Sequence, residues 1–159
     1  MQFGAIWDWD GVVVDSSRQH EASWEMLAEA ESLELPPDHF LKGFGKKNAF
    51  IIPDILGWTD DPEEIDRLSK RKEVFYREVL DRPGFEPFIL PGVKSLLQSF
   101  QDAGIGSVVG TSTERVNVEK IMHIFGVASH FDGIVSGDDV THGKPDPEVF
   151  LKAASILGM

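Results

Sequence analysis

The stretch Asp8-Trp9-Asp10-Gly11 follows directly on an apolar run, Phe3-Gly4-Ala5-Ile6-Trp7, and this junction constrains the chain more than any other feature in it. The run is short, uncharged and β-favouring, which predicts a buried strand. Two carboxylates then stand at its C-terminal tip. Positions i and i+2 of an extended chain share a side, so Asp8 and Asp10 can face one pocket, and Gly11 permits the turn that follows. Acids held that close repel each other unless a cation sits between them, and a hard, oxygen-seeking ion such as Mg²⁺ suits them.

Charge narrows the function. The 159 residues carry 15 Lys+Arg against 27 Asp+Glu, a formal charge of −12. Such a chain lacks the basic balance that nucleic-acid binding requires. An anionic substrate would need lysines gathered locally. There is no cysteine, which excludes disulfides, thiolate metal sites and a cysteine nucleophile. No apolar run approaches membrane-spanning length and no signal-peptide pattern opens the chain, so a cytoplasmic protein without a membrane partner is expected.

Further along, Ser16 with Gln19 reads as a capping box opening a helix that carries Trp24, Leu27 and Ala28 and ends before Pro36-Pro37. Residues 36–58 read as short helices with a break at Pro53, joined by Gly43-Phe44-Gly45-Lys46-Lys47-Asn48. Asp61-Pro62-Glu63-Glu64 is a strong helix start, and the helix runs to about Leu80. Lys72 falls on its apolar stripe, where it either snorkels to the edge or faces something anionic. Residues 81–91 form a return linker. From there helices and strands alternate: a helix with Val93, Leu96, Leu97 and Phe100 inward, a strand at 105–110 ending in Thr111-Ser112-Thr113, a helix stopped by Gly126, a strand at 131–136, the loop Gly143-Lys144-Pro145-Asp146-Pro147, and a last helix with Phe150, Ala153, Ala154 and Leu157 inward. This order predicts an α/β protein with a parallel, Rossmann-like core (residues 1–15 and 89–159) and an inserted α-helical cap subdomain (16–88). In such sheets ligands bind at the C-terminal ends of the strands, where Asp8/Asp10, Thr111/Ser112 and the Lys144 loop all lie.

These residues resemble the haloacid dehalogenase superfamily, in the subgroup of β-phosphoglucomutase-like enzymes and sugar-phosphate phosphatases with a helical cap. Asp8 to Asp15 is similar to its first motif, with Trp9 where phenylalanine or leucine is commoner. Val108-Val109-Gly110-Thr111 and Ser112 match the second, and Lys144-Pro145-Asp146-Pro147 the third. The resemblance implies phosphoryl transfer: Asp8 as nucleophile, Asp10 as acid and base, the Thr111 hydroxyl and Ser112 N–H on the phosphate, Lys144 as charge balance, and Mg²⁺ held by Asp8 and the Asp10 carbonyl. It also implies substrate-facing roles for His20 and Lys72, and for Lys46 and Lys47 on the cap loop. The partner expected is a small phosphorylated metabolite.

The family's fourth motif, an acidic strand end completing the metal shell, has no counterpart before the chain stops at Leu157-Gly158-Met159. The expectation is a truncated chain whose first strand lies uncovered and open to self-association. Asp138 and Asp139 are candidates for substitute ligands, or simply a solvated acidic loop. Three alternatives stay open beside the phosphatase: a phosphomutase, a non-catalytic relative that binds a phosphoryl group or a protein, and a signalling receiver domain. The helical insertion and the first-strand position of Asp8 oppose the last.

Overall fold

The computed structural model describes residues 3–159, so the first two residues of the 1–15 segment lie outside it. The chain divides into two compact units, one made of the N-terminal stretch to Asp15 with Phe88–Met159, the other of Ser16–Pro87.

In the first unit the apolar run forms β1 (Gly4–Trp7), which pairs in parallel with β4 (Gly106–Gly110), and β4 pairs in parallel with β5 (Gly133–Val135). The sheet order is β1-β4-β5, so β1 stands at a margin of the sheet. Helices α5 (Val93–Asp102), α6 (Arg115–Phe125) and α7 (Glu148–Ile156) supply the alternation the sequence predicts. Val108, Val135, Val140, Val149 and Ala153 form a buried core beneath α7. A short antiparallel pair, β2 (Val14–Asp15) with β3 (Phe88–Ile89), forms within the stretches that the sequence predicts as turn and linker. Strands of two residues give no alternation to read.

Two inward faces differ from expectation. Phe150 is exposed, because the face of α7 that meets the sheet is set by Val149 and Ala153. Leu157 packs where Gly4 and Gly106 leave room for it; a Cβ on either would come within 2.8 or 2.7 Å of its methyl carbons. Leu96 on α5 is exposed as well, while Val93 and Leu97 are buried.

The second unit is helical: α1 (Ser17–Glu31), α2 (His39–Gly43), α3 (Asn48–Phe50), a π-helical stretch (Ile51–Leu56), and α4 (Pro62–Leu80). Asp61 caps α4 by accepting from the Glu63 N–H, as its position predicts. The expected capping box at Ser16 is absent, since Ser16 makes no side-chain cap and the buried Gln19 side chain donates to the Phe85 carbonyl at 2.7 Å. Pro53 sits inside the π-helical stretch, where the α-helical hydrogen-bond pattern that its missing N–H interrupts gives way. Trp24, Leu27, Ile51, Ile52, Leu56 and Leu68 form this unit's core. Among the described residues no helix is long and apolar enough to cross a membrane.

Candidate active site

The tip of β1 places the acids. The N–H groups of Val12, Val13 and Val14 all converge on the Trp9 carbonyl, and Gly11 N–H donates to the Val14 carbonyl at 2.8 Å. This knot needs Gly11 at φ +79°, a conformation a side chain resists. Trp9 is fully buried and anchors the turn, while Asp8 and Asp10 on either side of it remain partly exposed.

Lys144 Nζ lies 2.7 Å from Asp8 Oδ1, which also accepts the Trp9 N–H at 2.8 Å. Asp8 Oδ2 is thereby left without a hydrogen-bond partner among the described residues. Lys144 is steadied by the Phe150 ring, whose centroid is 5.7 Å from Nζ, which gives that exposed phenylalanine a place beside the site. At the end of β4, Thr111 is buried; its N–H donates to the Val135 carbonyl and its Oγ1 accepts the Thr113 N–H at 3.1 Å. The Thr111 hydroxyl proton is left to donate elsewhere. Thr113 was not singled out from the sequence. Its Oγ1 donates to Asp10 Oδ2 at 2.5 Å and so joins the β4 loop to the tip of β1.

The β4 loop is braced by the loop after β5. Gly137 N–H donates to the Thr113 carbonyl at 2.9 Å, and a Cβ on Gly137 would stand 2.3 Å from the Ser112 carbonyl oxygen, so only glycine fits there. Asp138 accepts the Arg115 N–H at 2.8 Å. Asp139 accepts from Ser136 N–H and Oγ, each at 2.7 Å, and from Arg115 Nη2 at 2.8 Å. Burial alone would raise the Asp139 pKa, but the Ser136 and Arg115 donors hold it below the usual carboxylate range. Both acids therefore brace the loop through their Oδ2 atoms and are not a merely solvated turn.

In the helical unit, Lys72 and Glu73 are buried although the sequence allowed Lys72 to snorkel. Lys72 Nζ lies 2.9 Å from His20 Nδ1 and 3.0 Å from Glu73 Oε1, and within 5.5 and 5.0 Å of the Trp24 and Tyr76 ring centroids. An ammonium only donates, so His20 Nδ1 accepts and the ring carries its proton on Nε2. The imidazole stacks on Tyr76 at 4.2 Å. Glu73 Oε1 also accepts from Asn48 Nδ2 at 2.7 Å, which ties the Lys46/Lys47 loop to α4. Burial pushes the Glu73 pKa up, but Lys72 and Asn48 more than offset it and hold the carboxyl ionised. Lys46 Nζ rests 4.9 Å from the Phe50 ring, and the Lys47 backbone opens α3.

The groups at the tip of β1 form an all-oxygen donor set. That suits Mg²⁺, which takes one or two carboxylates and keeps waters and phosphate oxygens for the rest. No group of three or more His, Cys, Asp or Glu joins them among the described residues.

A parallel α/β sheet with paired acids at one strand end, a threonine at the next and a lysine on a loop beyond the third defines the class of open α/β proteins that bind ligands at the strand C-termini. The family comparison is more particular. Residues 4–159 match the family model for haloacid dehalogenase-like hydrolases, and the chain belongs to that family. It is 31% identical over 156 residues to the chloroplastic 5-amino-6-(5-phospho-D-ribitylamino)uracil phosphatase of Arabidopsis thaliana, covering 97% of this chain but 41% of that protein. It is 29% identical to the β-phosphoglucomutase of Bacillus subtilis (strain 168), covering 96% of this chain and 68% of that one. The crystal structure of β-phosphoglucomutase from Clostridium difficile shares the fold, with TM-score 0.84 at 24% identity, over 100% of this chain and 72% of that chain.

Proposed function

We propose that the protein is a Mg²⁺-dependent phosphatase for a small phosphorylated metabolite, a sugar phosphate by preference, working through an aspartyl-phosphate. The observation that carries this reading is Asp8 itself. One of its oxygens is held by Lys144 and the Trp9 N–H, and the other is uncommitted at a strand end.

In this mechanism Asp8 Oδ2 attacks phosphorus, the Asp8–phosphoryl bond forms and the bond to the leaving oxygen breaks. Asp10 gives that oxygen a proton, and it later takes one from the water that attacks the phosphoenzyme. The Thr111 hydroxyl and the Ser112 N–H donate to the phosphate oxygens. Lys144 orients the Asp8 carboxylate. Asp8 and the Asp10 carbonyl would hold Mg²⁺, whose charge shields the anionic nucleophile from the anionic substrate. We assign 16–88 as the substrate-selecting cap. His20 and Lys72 are its buried pair, and Lys46 and Lys47 its loop cations. The names of the relatives, both acting on phosphorylated sugar-like compounds, support the substrate class. The cytoplasm is the proposed compartment, although the Arabidopsis relative is chloroplastic.

The β-phosphoglucomutase likeness favours a second reading, in which a sugar hydroxyl takes the phosphoryl group in place of water. Sugar phosphates and an aryl phosphate are assayed with and without Mg²⁺, following inorganic phosphate and isomerised product. Mg²⁺-dependent phosphate release abolished by Asp8→Asn is expected. Isomerisation without phosphate release selects the mutase, and turnover that survives Asp8→Asn refutes the covalent mechanism.

A further inference from the structure

We infer that Thr113 is a positioning residue for Asp10, and that its hydroxyl decides how well the enzyme handles substrates whose leaving oxygen must be protonated. The inference rests on the phosphoryl-transfer reading above and extends it to a residue outside the motifs.

Thr113 lies 103 positions from Asp10 in sequence, yet its Oγ1 donates to Asp10 Oδ2 at 2.5 Å. The threonine is itself fixed on both sides. Its N–H donates to Thr111 Oγ1 at 3.1 Å, and its carbonyl accepts the Gly137 N–H at 2.9 Å. The loop that presents Gly137 is closed by the Ser136–Asp139 capping box and by Arg115, which bonds Asp139 and the Ile134 carbonyl, each at 2.8 Å. A β-branched side chain has few rotamers to choose from, so the hydroxyl is a rigid donor on a rigid loop.

Asp10 needs such a donor. It stands one residue before a glycine turn, and proton transfer requires one of its oxygens within about 3 Å of the leaving oxygen. Fixing Oδ2 fixes the plane of the carboxyl and hence the position of Oδ1. During the first step the P–O bond to the leaving group breaks while a proton passes from Asp10 to that oxygen. An alkoxide leaving group depends on that proton. A nitrophenolate spreads its charge over the ring and departs without it. Loss of the Thr113 hydroxyl must therefore injure alkyl phosphates far more than a nitrophenyl phosphate. A residue that merely holds the fold together would injure both alike.

The test compares wild type, Thr113→Val, Thr113→Ala, Thr113→Ser and Asp10→Asn in the full-length protein, on a sugar phosphate and on p-nitrophenyl phosphate. Thermal melts accompany each variant, and Thr113→Ala serves if the valine does not fold. The hydroxyl deletions are expected to lower kcat on the sugar phosphate by roughly 10- to 100-fold with KM little changed, within the contribution a positioned acid makes. On p-nitrophenyl phosphate the loss stays within about 3-fold, and Thr113→Ser recovers the sugar-phosphate rate to within about 3-fold. Equal losses on both substrates, or no loss on the sugar phosphate, overturn the role assigned to Thr113 while wild-type activity leaves the phosphatase reading standing. Wild-type protein inactive on every phosphate overturns that reading, and this inference with it.

Discussion

Replacing Lys72 by Met removes the ammonium from the buried network of α1 and α4, and the consequence can be worked from the distances. Lys72 is 2% exposed and Glu73 5%, with Nζ 3.0 Å from Oε1. Two unit charges at that separation attract by ~5.5 kcal/mol at an effective dielectric of 20. Desolvation of both groups opposes this, so the pair's net worth is far smaller. A carboxylate left buried without its cation is a different matter and costs about 3–5 kcal/mol. Lys72→Met is therefore expected to destabilise by that amount at pH 7, measured by urea unfolding. The double variant Lys72→Met/Glu73→Leu removes both charges and should regain at least ~1 kcal/mol, giving a clear coupling in the double-mutant cycle. The sign of the pH dependence follows as well. Without the ammonium, burial raises the Glu73 pKa, so Glu73 takes up a proton on acidification and the penalty against wild type shrinks between pH 7 and about 4. A single-variant cost below ~1 kcal/mol, or strictly additive variants, would refute the view that these charges depend on one another.

Gly137→Ala puts a methyl within 2.3 Å of the Ser112 carbonyl oxygen and must displace the loop that carries Ser112 and Thr113. We expect sugar-phosphate turnover to fall by 10-fold or more, on the order of what a misplaced catalytic group costs, in steady-state assays of protein with near-native circular dichroism. Acid should weaken the helical unit in a defined window. Hydrogen bonds from Arg67, and then Arg71, hold Glu31 at about 2 against an ordinary 4.5. A depressed carboxylate stabilises above its unfolded pKa and loses that contribution as pH falls through the folded one, so the urea midpoint should drop between about pH 4.5 and 2. Glu31→Gln should flatten this limb.

What was legible in the sequence was local. The tip of β1 could be read because alternation, a glycine and two acids coincide within four residues, and the cap of α4 because Asp61-Pro62 acts on its own helix. What failed was decided by distant partners. Gln19 fits a capping box, but its amide finds the Phe85 carbonyl, 66 residues away. Phe150 and Val149 offer rival apolar faces one residue apart, and the room left by Gly4 and Gly106 for Leu157 helps fix which one packs. Thr113 and Glu73 escaped notice for the same reason: a hydroxyl beside two others and an acid beside a lysine are unremarkable until the fold brings Asp10 and Asn48 to them. The acidity of Asp138 and Asp139 is visible in sequence, whereas the Arg115 and Ser136 donors that engage them are not.

The charges at the two clusters bear on how an acidic protein would hold an anion. Lys144 is compensated by Asp8, and Lys72 by Glu73. Neither lysine is a surplus positive charge. With Asp10 protonated, as the first step of the proposed mechanism requires, Asp8, Asp10 and Lys144 together carry no net charge, so they offer a phosphate no net attraction. The overall charge of −12 makes matters no easier. In the proposed mechanism, then, the lysines orient carboxylates, while attraction for phosphate comes from neutral donors and from a divalent cation. The Thr111 hydroxyl and the Ser112 N–H supply directed hydrogen bonds without net charge. A doubly charged ion held by Asp8 and the Asp10 carbonyl would turn that sum from 0 to +2 and so let an anionic nucleophile meet an anionic substrate. In the proposed mechanism the dependence on Mg²⁺ is thus the expected consequence of pairing Lys144 with Asp8.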